Sequence, residues 1–421
     1  MVAPRSIPGP RFRNLPSLNR LGRANPDASN GHIPTCGPWW RPENFCYIAT
    51  QTVELGHNGA ASNPIFQSAN TIHIRHGPIP PLPGSDAMKV RVGLIGHCDA
   101  WQTRHRPALR VLHDRFDVRA VFNTVAKLAE NVAAEFQADV VDGYRALVNR
   151  GDIDAVIMLQ RNWLGWLPVM AACEAGKAIY WAGDLDFDSV QDAEVRSIVE
   201  DSGVAFMVEF PRRYAPATLR LKELIATRLG APKLIFCHRR LQALGASSVG
   251  ESDPSRRELV ELIDWCRYVV GREPVSVSSV GHQTQVQPDM TSVSDYRCMS
   301  LAFPQFDDKP SVTAQISCGS YIRSTWHEAA GFRPPSAMQI CCERGVAFID
   351  LPTTLVWFDE AGRNMETLDT ESPVGEQLLS QFHRSVTSLL RNMSDLDDAY
   401  RAVSIFEAAL QSETEGRSIS V

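Results

Sequence analysis

The chain has no excess of positive charge, no long apolar run and no cysteine pair at metal-ligand spacing. Its formal net charge is −6, which argues against a nucleic-acid partner, because such partners normally face a basic footprint. A membrane span needs about 18 or more consecutive apolar residues, and no such run occurs. The 10 cysteines are scattered, and Cys341 and Cys342 are adjacent in an apolar stretch. Buried, reduced thiols in a cytoplasmic protein are the plain reading, and no metal site is expected.

Residues 1–87 lack lysine, lack helical or strand periodicity, and lack the apolar core of a secretory signal. They hold nearly half of the 27 prolines, with Arg5, Arg11, Arg13, Arg20 and Arg23 near the start. This composition predicts disorder or a non-native extension, with Met88 as the effective start. A small docking element around Trp39, Trp40, Cys36 and Cys46 is the sharper alternative.

The full chain of 421 residues is of ordinary globular composition, 44% hydrophobic, and its length suggests two or three domains. Val90, Val92, Leu94 and Ile95 form an apolar run closed by Gly96, which predicts a buried parallel strand. Ala108, Leu109, Val111 and Leu112 then fall at helical spacing. Strand, glycine turn and helix together open a dinucleotide-binding unit.

The fingerprint of that unit places glycine at positions held here by Gly96, Cys98 and Trp101. Only the first is glycine. The second lets backbone approach the diphosphate, and the third lets the helix pack closely on the strand. Trp101 is expected to hold the helix off the strand or to project its indole into the cleft, and Asp99 adds charge that repels a diphosphate. The double change Cys98→Gly with Trp101→Gly is expected to tighten dinucleotide binding.

Strands are predicted at 118–122, 140–141, 155–159, 178–181 and 205–209, alternating with helices at 125–136, 144–149, 167–175 and 189–202. That alternation implies a doubly wound parallel sheet, a Rossmann-type domain over 88–212. From 213 to 421 the pattern changes to an α+β domain with a mainly antiparallel sheet. Its strands are predicted at 233–239, 274–280, 297–303, 311–318, 338–342 and 346–351, with helices at 219–226, 258–270, 376–392 and 396–413. The last helix is expected to pack back near the first sheet. Val277, Val312 and Ile316 are expected on an exposed sheet face that favours a homo-oligomer, most simply a dimer.

Several segments carry a resemblance. His105-Arg-Pro-Ala-Leu109 follows the glycine turn, and Asp152-Ile-Asp-Ala-Val-Ile157 enters the fourth strand. Further on come Ala171-Ala-Cys-Glu-Ala-Gly-Lys177, Arg212-Arg-Tyr-Ala-Pro216 and the closing stretch from Asp398 to Arg417. In order and spacing these resemble the Gfo/Idh/MocA oxidoreductases, from about Met88 to the C-terminus. The resemblance implies an NAD or NADP cofactor and a sugar, cyclitol or related polyol as substrate.

It also implies where the site lies. Gly96, Asn123 (at the ribose-binding position) and Asn162 (beside the nicotinamide) are the expected cofactor contacts. Asn123 reads equally well as a turn residue. Arg161 and Gly165 replace a proline and a histidine, and Trp163 and Trp166 flank the segment. The family's catalytic lysine position is Gly183, flanked by Ala182 and Asp184, with Asp186 nearby as a helix cap or turn acid. The family's paired acid and histidine positions, four apart on one helix face, are Arg257 and Glu261. Glu261 is the candidate catalytic group, and Arg213 the candidate substrate-binding group, forming with Arg212 and Arg257 a cationic cleft for an anionic or sugar ligand. A surface salt bridge between Arg257 and Glu261 is the plainer reading of that spacing. A non-catalytic, ligand-sensing or scaffolding relative is the alternative function, with a lyase or hydrolase using the same cleft third.

Overall fold

An apolar run with no polar face makes a strand only where both faces are covered. The computed structural model places β1 (Val90–Ile95) in that position, with Val92, Leu94 and Ile95 buried. It describes residues 89–159, 164–183, 185, 193–242, 254–284, 293–322, 325–326, 328–329, 332, 335–388 and 394–421. The expectations for residues 1–87, Arg161, Asn162, Trp163, Asp184 and Asp186 lie outside these.

β1 pairs in parallel with β2 (Phe116–Phe122) and β4 (Ala155–Met158), and β3 (Asp139–Val140) lies beyond β2. β5 (Ala178–Trp181) and β6 (Phe206–Val208) extend the other side, giving the order β3-β2-β1-β4-β5-β6. The connections carry α1 (Arg106–Val111), α2 (Ala126–Phe136), α3 (Tyr144–Val148), α4 (Leu167–Glu174) and α5 (Ala193–Ser202). Strand order reverses between β1 and β4, and ligands of such sheets bind outside the carboxyl ends of the strands there.

After β6 come α6 (Pro216–Leu224) and the second sheet, ordered β14-β13-β12-β11-β7-β10-β9-β8-β15. Its members are β7 (Pro232–Gln242), β8 (Ser276–Thr284), β9 (Val293–Phe303), β10 (Val312–Ile322), β11 (Met338–Cys342), β12 (Val346–Asp350), β13 (Thr354–Asp359), β14 (Gly362–Thr367) and β15 (Ile419–Ser420). All neighbours are antiparallel except β7 and β10, which run parallel. That pairing needs a crossover, and the long connection containing α7 (Pro254–Val270) supplies it.

Val277, Val312 and Ile316 are buried rather than exposed, on the face that α7 and α9 (Ser394–Glu415) cover. Alternation along β10 is plain: Val312, Ala314 and Ile316 point in, while Thr313 and Gln315 are exposed. The helices supply the other half of this core through Leu259, Ile263, Trp265, Val403 and Phe406.

Helix α9 also touches β6, so the chain's end does return to the first sheet. So does α8 (Val374–Thr387), which packs on β1 and α1. Its Phe382 stacks on Phe116, ring centroids 6.5 Å apart. Gly375 permits this close approach, since a Cβ there would sit 2.5 Å from the Arg104 carbonyl oxygen. No helix among the described residues is long and apolar enough to cross a membrane.

Candidate functional site

The chain leaves β1 at Gly96, whose φ of 85° lies in the left-handed region that glycine adopts without strain. Its N–H donates to the Phe122 carbonyl at 2.9 Å, tying the ends of β1 and β2 together. His97, Cys98 and Asp99 then lead into a five-residue π-helical turn, Trp101–His105, before α1 begins. A π turn accommodates one more residue than an α turn. Here it sinks Trp101 into the core at 2% exposure, edge-on to Phe136 with centroids 6.1 Å apart.

The indole therefore neither stands free in the cleft nor simply props the helix away. It forms one buried wall of a small cleft shared with Leu94, Gly96, Val121, Asn123 and Leu159. The indole fills space at this strand end that a glycine would leave open. Gly96 and Asn123 thus share one cleft at the switch point. The Asn123 side-chain oxygen accepts the Val125 N–H at 2.8 Å, a turn role that leaves its amide nitrogen as the available donor.

Beneath the loop lies a buried cluster that sequence reasoning missed. Glu209, immediately after β6, is 3% exposed, and His105 at the end of the π turn is 1% exposed. The protonated His105 Nε2 donates to Glu209 Oε2 at 2.6 Å, and the Tyr180 hydroxyl donates to the same oxygen at 3.0 Å. Arg104 pairs with the other carboxylate oxygen. On the far side of the imidazole, His105 Nδ1 lies 3.6 Å from Cys98 Sγ.

Burial alone would push the imidazole down. The Glu209 charge and the hydrogen bonds with Cys98 and Glu209 outweigh it and raise His105 to about 9. Burial would likewise raise Glu209, but His105 and Arg104 hold it at about 2. The cluster is therefore ionised at neutral pH, with two cations around one carboxylate. The available signal was the pairing of His105 with a carboxylate on a distant strand, and no local pattern carries that.

The arginines of the expected cationic cleft are instead matched with acids. Arg212 pairs with Glu258 at 2.5 Å and with Glu261, and Arg257 Nε donates to Glu261 Oε1 at 3.1 Å. The Arg257–Glu261 spacing thus makes its salt bridge, but within a half-buried network rather than alone on a surface. Burial raises the Glu258 carboxyl, while Arg212 and Arg239 outweigh it and hold it below the usual range. Arg213 spends its guanidinium on Asp264 and Asp398, the latter at 2.8 Å, and lies over the Phe210 ring. Neither Arg213 nor Glu261 lines the Gly96–Asn123 cleft. Gly183, at the lysine position, is buried and offers no side chain.

Comparison with known proteins agrees with this architecture. Residues 90–181 match the model of the GFO_IDH_MocA oxidoreductase family, NAD-binding Rossmann fold. An inositol 2-dehydrogenase of Rhizobium meliloti is 23% identical over 241 residues, covering 56% of this chain and 71% of the relative. In fold, the chain resembles an aldose-aldose oxidoreductase from Caulobacter crescentus, solved with glycerol, at TM-score 0.66 and 15% identity, over 79% of this chain and 100% of that one. A levoglucosan dehydrogenase solved with NADH and levoglucosan gives TM-score 0.64 at 17% identity, over 79% and 99%.

Proposed function

Because the chain belongs to the Gfo/Idh/MocA oxidoreductase family, we propose that it transfers hydride between NAD or NADP and a sugar, cyclitol or related polyol, through a degenerate active site. The observation that carries this reading is the cleft at the strand-order reversal, where the left-handed Gly96 and Asn123 meet. A bound nicotinamide dinucleotide would supply the hydride acceptor or donor. Gly96, without a Cβ, and the amide nitrogen of Asn123 suit the ribose end, and Asn162 is the proposed third contact. The diphosphate crossing is tighter, because Trp101 walls it, and Asp99 adds negative charge to the same loop. Glu261, paired with the Arg212 and Arg257 guanidiniums, is the proposed base toward a substrate hydroxyl. Arg213 is proposed to take part in substrate binding, with its side chain braced by Asp264 and Asp398.

A second reading, a ligand-sensing or scaffolding relative, is favoured by Gly183, which can neither donate nor accept a proton, and by the engagement of both Glu261 oxygens. Incubating the protein with NAD or NADP and a panel of sugars and cyclitols, while following reduced nicotinamide, separates the two. Turnover on at least one polyol is expected; nucleotide binding without hydride transfer to or from any of them would favour the second reading.

Self-association is proposed through the uncovered face of the second sheet. Cross-strand register lines up Phe236, Gln339, Phe348, Val356 and Met365 in one row on that face. Leu234 and Phe358 are also exposed. Such a patch suits a second copy of the chain. Sedimentation at micromolar concentration is expected to show a dimer or larger assembly that Phe236→Lys weakens. A monomer would count against the proposal.

A further inference from the structure

Three chemically matched groups line up across the nucleotide loop: a half-buried thiol, a buried imidazole and a buried carboxylate. Cys98 Sγ lies 3.6 Å from His105 Nδ1, and His105 Nε2 lies 2.6 Å from Glu209 Oε2. Tyr180 and Arg104 complete the carboxylate's hydrogen bonds, so Glu209 has nowhere to turn and fixes the imidazole's orientation. In this order the carboxylate orients the imidazolium, and the imidazolium can stabilise charge developing on the sulfur and give a proton to a leaving group.

We infer that Cys98 is a reactive thiol and a site of oxidation by peroxides. Charge supports the assignment. Arg104 and a protonated His105 face the single carboxylate of Glu209, leaving one positive charge over in a buried setting. Electropositive, partly exposed surroundings are what make cysteines reactive. Cys98 is the half-buried member of the cluster, open enough for a small oxidant.

The step balances within the cluster. The Cys98 thiolate attacks one oxygen of the peroxide, the O–O bond breaks and an S–O bond forms. Sulfur is oxidised by two electrons to a sulfenic acid while the peroxide is reduced. The departing hydroxide or alkoxide takes the proton from His105 Nδ1 and leaves as water or alcohol. His105 regains its proton from solvent.

The test uses the full chain. Native protein and the same protein unfolded in urea are exposed to limiting hydrogen peroxide at neutral pH, quenched with dimedone and mapped by peptide mass. Burial ordinarily slows a thiol in the folded state. Here Cys98 is expected to form the dimedone adduct about tenfold or more faster in the native protein than in the unfolded chain, because only folding brings the imidazole beside it. A native rate equal to or below the unfolded one overturns the inference.

Discussion

Replacing Glu209 with glutamine is expected to cost about 3–5 kcal/mol of folding free energy, the usual penalty for removing one member of a buried ion pair. The reason is what remains. Arg104 and His105 would face each other across a neutral amide, with His105 still 1% exposed. The penalty should also depend on pH in a defined direction. His105 is raised from 6.5 to about 9, so its contribution is complete below 6.5 and is lost as pH rises through about 9. Glu209 is lowered from 4.5 to about 2, so its contribution is complete above 4.5 and is lost as pH falls through about 2. The difference in unfolding free energy between the wild type and Glu209→Gln, read by urea denaturation, should be largest between about pH 4.5 and 6.5 and shrink toward about pH 9. A difference below about 1 kcal/mol, or one indifferent to pH over that upper range, would contradict the assignment.

Trp101 carries the second large effect. Its sequence position suggested an obstruction whose removal opens the site. The structure makes it a core residue against Phe136, buried among Leu94, Leu109 and Val121. Trp101→Gly, alone or with Cys98→Gly, is therefore expected to cost about 3–5 kcal/mol through the cavity it leaves, before any gain in nucleotide binding can register. Glycine would also loosen the π turn that sets His105 over Glu209. Thermal unfolding of the single variant checks this; a midpoint within a degree or two of the wild type would show that the indole is not a core member. The tighter dinucleotide binding expected of the double change is therefore to be read on the folded fraction alone.

Much of the fold was legible because it is written locally. The apolar runs of β1 (broken only by Arg91), β4 and β5 announce strands buried on both faces, and Gly96 announces the turn. β13 and β14 were missed because half of their residues face water, and Arg363 and Asn364 dilute the pattern. The parallel pairing of β7 with β10 is a long-range fact that no local period encodes. Val312, Ala314 and Ile316 share one parity, and that parity marks the core; they were misread as the open face because nothing local says which face the helices cover. The site divides the same way. That Gly96 and Asn123 close adjacent strands was legible because strand ends and turns are local, and the Arg257–Glu261 pair because its spacing is helical. Glu209 and His105 stand 104 residues apart, and each alone looks like a surface polar residue.

The crevice at the strand-order reversal is proposed to bind a nicotinamide dinucleotide, but poorly, because Trp101 fills space that a glycine would leave open and Cys98 and Asp99 replace small, uncharged residues in the same loop. Titrating the protein with NADH and NADPH while following nicotinamide fluorescence tests it most directly. Saturable binding in the high micromolar range is expected, roughly −5 kcal/mol. A submicromolar dissociation constant would show that Trp101, Cys98 and Asp99 do not obstruct the diphosphate, and the absence of saturation at millimolar nucleotide would show that the crevice is not a dinucleotide site.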